Sequence, residues 1–139
     1  MSDESEIKLN DLMFMALDHG FDSIADGSGP LIPFAVLEDA SGLRQLRRFV
    51  TDRLEDGVEA AKMAVDAATA DVLRYAIAWD GYITMQDRKW DAIFVEAGDR
   101  VQSEALLLCQ RYQAVEGSPS NQTFGNPALV SNPPSRLRS

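Results

Sequence analysis

Residues 71–115 carry apolar stretches at 72–79, 82–86, 90–97 and 105–115, separated by turn signals, the first of them Asp80-Gly81 between Trp79 and Tyr82. Short, evenly spaced strands with tight connections and no intervening helical period read as an antiparallel meander. A two-residue Asp-Gly hairpin would pair Trp79 with Tyr82, Ile77 with Thr84 and Tyr75 with Gln86. One sheet face then carries Leu73, Tyr75, Ile77, Trp79 and Tyr82. The other carries Ala76, Ala78, Ile83 and Met85, whose small alanines let a helix approach closely, and this is the face expected beneath the helix read at 52–70.

Upstream, Ile7, Leu12, Phe14, Met15, Ala16 and Leu17 predict a helix over 5–19, stopped by His19-Gly20. A glycine-rich loop, 26–30, leads to an apolar run at 31–37 whose Pro33 confines it to an edge strand or a strand start. Residues 38–42 read as a hairpin connection. The segment 43–50 is ambiguous, because Leu43, Leu46, Val50, Leu54, Val58, Ala61, Val65 and Ala68 hold a helical period right through it. A helix over 43–69 would be about 40 Å long, against a radius of gyration of roughly 14 Å for a compact chain of this size. A strand over 44–50 is therefore preferred. A fresh helix follows, capped near Thr51-Asp52 with Glu55 in its first turn and running to about residue 70.

These elements fit one α+β domain over 1–116: an antiparallel sheet of about five strands with two helices on one face. Residues 117–139, rich in Pro, Gly, Asn and Ser, read as an extended tail. Phe124, Leu129 and Val130 are candidates to dock it onto the domain. Two helices about 10 Å wide can cover one face of a sheet about 24 Å across, and none remains for the other. The face bearing Tyr75, Ile77, Trp79 and Tyr82 is too apolar to lie bare, so these four residues are the candidate surface for a protein partner or a homodimer.

Charge narrows the partners. Residues 117–139 hold two of the 13 basic residues and none of the 22 acids, so the first 116 carry a net charge of −11. Phosphate backbones and anionic membrane surfaces would be repelled, so neither nucleic acid nor membrane is expected as a partner. The one cysteine, Cys109, sits in an apolar run and reads as a small buried hydrophobe. With no secretory-type leader, the chain is expected in the cytoplasm.

Catalytic chemistry finds little support. Asp91 and Glu96 invite comparison with metal-dependent nucleases, but the usual lysine after the glutamate is missing. Residues five apart on a strand also face opposite ways. His19 alone builds neither a triad nor a multi-histidine metal site, and 27–29 lacks the lysine and hydroxyl of a phosphate loop. Asp91, Glu96 and Arg111 could still line a polar pocket at the sheet end, with a Glu96–Arg111 surface pair as the simpler account. No cofactor and no metal is expected.

The element order resembles that of small dimeric adaptor scaffolds of the roadblock type, and size and acidity are similar to those of bacterial secretion chaperones. Both are resemblances of order and composition. The leading expectation is a non-enzymatic binding or adaptor module. The alternatives are an acidic, immunity-like antagonist or chaperone of a basic protein, and a small enzyme with an acid-base site around Asp80, Asp91, Glu96 and Arg111.

Overall fold

A computed structural model describes residues 3–27 and 29–137; Ser28 of the glycine loop and Arg138 of the tail lie outside the described residues. The elements are α1 (Asp3–Ile24), β1 (Phe34–Asp39), β2 (Arg44–Arg48), α2 (Leu54–Asp66), β3 (Val72–Met85), β4 (Arg88–Asp99), β5 (Leu106–Ala114) and β6 (Asn121–Ser131). The six strands form one antiparallel sheet in the order β2-β1-β3-β4-β5-β6. The α+β class and the meander after the second helix are as the sequence suggests.

The expected Asp80-Gly81 hairpin is absent. β3 runs unbroken through Asp80-Gly81, and the turn falls at Gln86-Asp87, where both residues adopt left-handed backbone (φ 54° and 60°) between the paired Met85 and Arg88. Asp80 is held in the strand by its carboxylate, which accepts from the Leu31 backbone N–H at 2.9 Å and the Tyr112 hydroxyl at 2.8 Å. Gly81 stays in the strand for a different reason: a β-carbon there would come within 3.1 Å of the Phe94 ring packed beside it.

With no turn between them, Trp79 and Tyr82 are three residues apart on one strand and point to opposite faces. Ile83 and Met85 join Trp79 instead. A slip of this kind exchanges every later side chain between faces.

The two helices do not share one face of the sheet but divide between the two. α1 lays Leu9, Leu12, Met13, Ala16, Leu17 and Ile24 over Phe34, Val36, Ala76, Ala78, Ile93 and Val95. α2 lays Ala61 and Val65 over Ala35, Tyr75 and Ile77 on the other face. The alanines at 76 and 78 do admit a helix, but it is α1. Gly20 does not stop that helix. It lies inside it, where a β-carbon would meet Leu31 and Ile93 at 3.3–3.4 Å, so its absence lets α1 settle onto β4. His19 packs edge-on against Phe34.

The strand expected over 44–50 is present as β2, Arg44–Arg48, two residues shorter at its end, and Leu43, Leu46 and Val50, the apolar residues of the competing helical period, are exposed. The connection from β1 is closed by the Asp39 carboxylate, which accepts from the Ser41 and Leu43 N–H groups. The Ser41 hydroxyl and these amides hold that carboxyl below its ordinary pKa. α2 is shorter than expected at both ends. Arg53, not Thr51 or Asp52, is its N-cap and supplies no side-chain cap bond.

The tail is mostly not a tail. β6 pairs along β5, so residue 117 lies in a hairpin connection rather than at a domain edge. Leu129 and Val130 are in β6 but largely exposed. Beyond β6 the chain straps back: the Ser135 hydroxyl donates to the Asp99 carbonyl at 2.7 Å, and Leu137 is buried in the α2-side core.

Candidate binding face

α2 packs on β1 and β3, leaving the β4–β6 half of its sheet face without a helix. Strand alternation fills that half with aromatic and cationic side chains. Trp79 of β3 stacks on Phe94 of β4, ring centroids 5.8 Å apart and planes 8° from parallel. Trp90, further along β4, stacks on Phe124 of β6 at 4.4 Å and 25°. Between the second pair lie two guanidinium groups: Arg88 3.7 Å from the Trp90 centroid, and Arg111 5.1 Å from both the Trp90 and Phe124 centroids. Neither arginine forms an ion pair among the described residues.

Local backbone irregularity places Phe124 there. The β5–β6 register shifts between Cys109 and Arg111, and the Gln110 side-chain amide donates to the carbonyls of Phe124 and Gly125 across it. Gly125 has φ 71°, and a β-carbon on it would meet the Arg111 guanidinium at 2.8 Å. A bulge with glycine in left-handed backbone re-aims the strand beside it. Here it brings Phe124, 39 % exposed, over Trp90, which is 5 % exposed.

Of the four residues expected to form a single surface, only Trp79 reaches this half, from its β3 border, with the Lys62 ammonium of α2 5.4 Å from its ring centroid. Tyr75 and Ile77 are sealed beneath α2, and Tyr82, 65 % exposed, projects from the α1 face with the Lys89 ammonium 4.2 Å from its ring centroid. Phe94, Trp90, Phe124 and Arg88 were missed as a group. The signal for them was the period-2 pattern of 90–94, which puts Trp90, Ala92 and Phe94 on one side; it becomes a surface only once β3 is known to be continuous.

The polar trio is not brought together. Asp91 faces the α1 side, exposed on the rung of Tyr82 and Tyr112. Glu96 and Arg111 share the other face but stand on different rungs, opposite Leu107 and Ala92 respectively. Glu96, 4 % exposed, accepts from the Tyr75 hydroxyl at 2.6 Å and the Arg136 Nε at 2.9 Å. Arg136 reaches Asp66 as well. The expected Glu96–Arg111 pair is thus replaced by a link that ties the C-terminal strap to the core and to α2. Burial, with the Glu96 hydrogen bond second, drives the Tyr75 phenol well above its usual pKa.

Asp80 is a carboxylate in a perturbed, partly buried setting. Burial raises its pKa first of all, against the hydrogen bonds from Leu31 and Tyr112 that lower it. Both donors come from the chain itself, so the carboxylate pins the 29–33 segment to the sheet. Among the described residues no cluster of three or more His, Cys, Asp or Glu side chains is placed to hold a metal ion, and no helix is long and apolar enough to cross a membrane. Cys109 is buried, and burial raises its thiol pKa. No protein-family profile, no curated protein and no solved structure shows a significant match to this chain.

Proposed function

We propose that this chain is a non-enzymatic binding module that captures another protein on the helix-free half of its α2-side sheet face. The observation that carries the reading is the pair of stacked aromatic couples, Trp79–Phe94 and Trp90–Phe124, on a sheet face that α2 reaches only at its Trp79 border, through the Lys62 ammonium 5.4 Å from that ring centroid. Aromatic and arginine side chains are the residue types that anchor protein interfaces. The unpaired Arg88 and Arg111 select a partner with carboxylates around an apolar centre. A second copy fits less well, since a two-fold pairing of this face sets like charges on like charges and each chain carries a net charge of −9.

The test is affinity capture with the wild type beside a Phe94→Ala/Phe124→Ala variant whose fold is checked by circular dichroism. A partner held through this face is released by the variant, each lost anchor costing more than about 1 kcal/mol. Identical capture by both proteins removes the reading.

One observation favours a second reading. The outer surface of α1 exposes Glu4, Glu6, Asp11, Asp18 and Asp22, a stripe suited to a basic protein and consistent with an acidic antagonist. That reading requires an association rate that falls steeply with salt, and insensitivity to salt would exclude it.

A further inference from the structure

We infer that the outer edge of β2 is a strand-acceptor site for an extended acidic segment of another protein. β2 ends the sheet, and all five of its residues are exposed. Its hydrogen-bond phase is fixed by its flanks. The Asp39 N–H donates to the Leu43 carbonyl and the Phe49 N–H to the Pro33 carbonyl, so Leu43, Gln45, Arg47 and Phe49 direct their backbone groups inward to β1. Arg44, Leu46 and Arg48 therefore direct theirs outward. Three successive outward N–H and C=O sets are the template to which an added strand bonds.

The side chains beside that edge specify the occupant. On the α2 side, a groove of about 480 Å³ between the β1–β2 hairpin and α2 is lined by Leu37, Leu43 and Phe49 together with the charged Asp39, Arg47 and Asp71, and its apolar part would take alternate apolar side chains. On the α1 side stand Arg44 and Arg48. Arg44 holds Glu38 at 2.6 Å, whereas Arg48 has no ion pair among the described residues. Arg47, over the Phe49 ring, adds a third positive charge. Three arginines in five residues, on a chain of net charge −9, form a local basic strip that attracts carboxylates.

The same residues disfavour a second copy. Two β2 strands paired about a two-fold axis at Leu46 would set Arg44 opposite Arg48 twice, and like charges directly opposite across a ladder are destabilising. The complementary segment carries acids opposite Arg44 and Arg48, with β-branched residues between them facing the groove. This site lies at the far end of the sheet from the aromatic half, so its failure and the failure of the proposed docking face are separable.

The probe is a blocked peptide, acetyl-Thr-Glu-Val-Leu-Val-Glu-Thr-amide, with a counterpart carrying Lys for both Glu, titrated by calorimetry or NMR. The acidic peptide is expected to bind and to protect the amides of Arg44, Leu46 and Arg48 from exchange, and the basic one is not. Leu46→Pro removes one outward donor and no inward bond, which edge strands tolerate, so it should weaken binding about tenfold, as should Arg48→Glu. N-methylating the peptide amides that face β2 should abolish binding whatever the variants do to folding. Failure of the acidic peptide to bind, equal binding by the basic peptide, or indifference to N-methylation would overturn the inference. Concentration-dependent dimers abolished by Leu46→Pro would also overturn it, by assigning the edge to a second copy.

Discussion

At the scale of single residues, Asp80 shows how a turn signal can be spent on something else. Asp-Gly between two aromatics is a strong hairpin cue, yet here the carboxylate holds Leu31 and Tyr112 and the glycine makes room for the Phe94 ring. Both partners lie far from Asp80 in sequence, so no local pattern exposes them. Asp80 also gives a pH signature. Its folded-state pKa is raised, so between the ordinary aspartate value and the raised one the folded protein binds more protons than the unfolded chain. Stability from this group is complete below the ordinary value and declines as pH rises through the raised one. Asp80→Asn keeps an acceptor for both donors and removes the titration. Thermal melts of the two proteins across pH 3–8 should show the variant gaining on the wild type as pH rises; parallel curves would mean that Asp80 ionises freely.

At the scale of elements, one displaced turn accounts for most of the difference between the sequence reading and the structure. The strands themselves were legible from their apolar runs, and the choice of strand over helix for 44–50 followed from size alone. What the sequence concealed was that Gln86-Asp87, with no glycine, closes the β3–β4 hairpin in left-handed backbone. The long β3–β4 ladder on either side imposes that conformation, and non-glycine residues adopt it at a cost. Asp87→Gly should relieve part of that cost, adding about 0.5–1 kcal/mol and raising the melting temperature by about 2–4 °C. A fall in stability would place the turn elsewhere. The helix faces were lost with the turn, because the face predicted to be bare holds Tyr75 and Ile77 beneath α2. The β6 strand escaped notice for another reason: its Gly125, Asn126 and Pro127 read as tail, whereas the glycine serves a bulge and the edge position tolerates the proline.

For the whole molecule, helix area and sheet area remain mismatched. Two helices do not suffice to cover a six-stranded sheet on both faces: α1 seals the middle of one over β3 and β4, α2 seals the β1–β3 part of the other, and beyond α2 the aromatic half is left uncovered. The molecule therefore presents three chemically distinct surfaces: an acidic outer α1, a basic β2 edge, and the Trp79–Phe124 face between β3 and β6. The chain's two tryptophans, Trp79 and Trp90, both lie on the last of these, so both energy-transfer donors sit within it. The direct measurement is titration of the native protein with anilinonaphthalene sulfonate, an apolar anion matched to stacked rings beside unpaired guanidinium groups, read by energy transfer from tryptophan. Saturable transfer in the wild type, weakened at least about thirtyfold in a folded Phe94→Ala/Phe124→Ala variant that keeps both tryptophans, is the expected result, each of the two lost anchors costing more than about 1 kcal/mol. Absence of transfer, or transfer unchanged by the variant, would show that the aromatic half offers no docking surface.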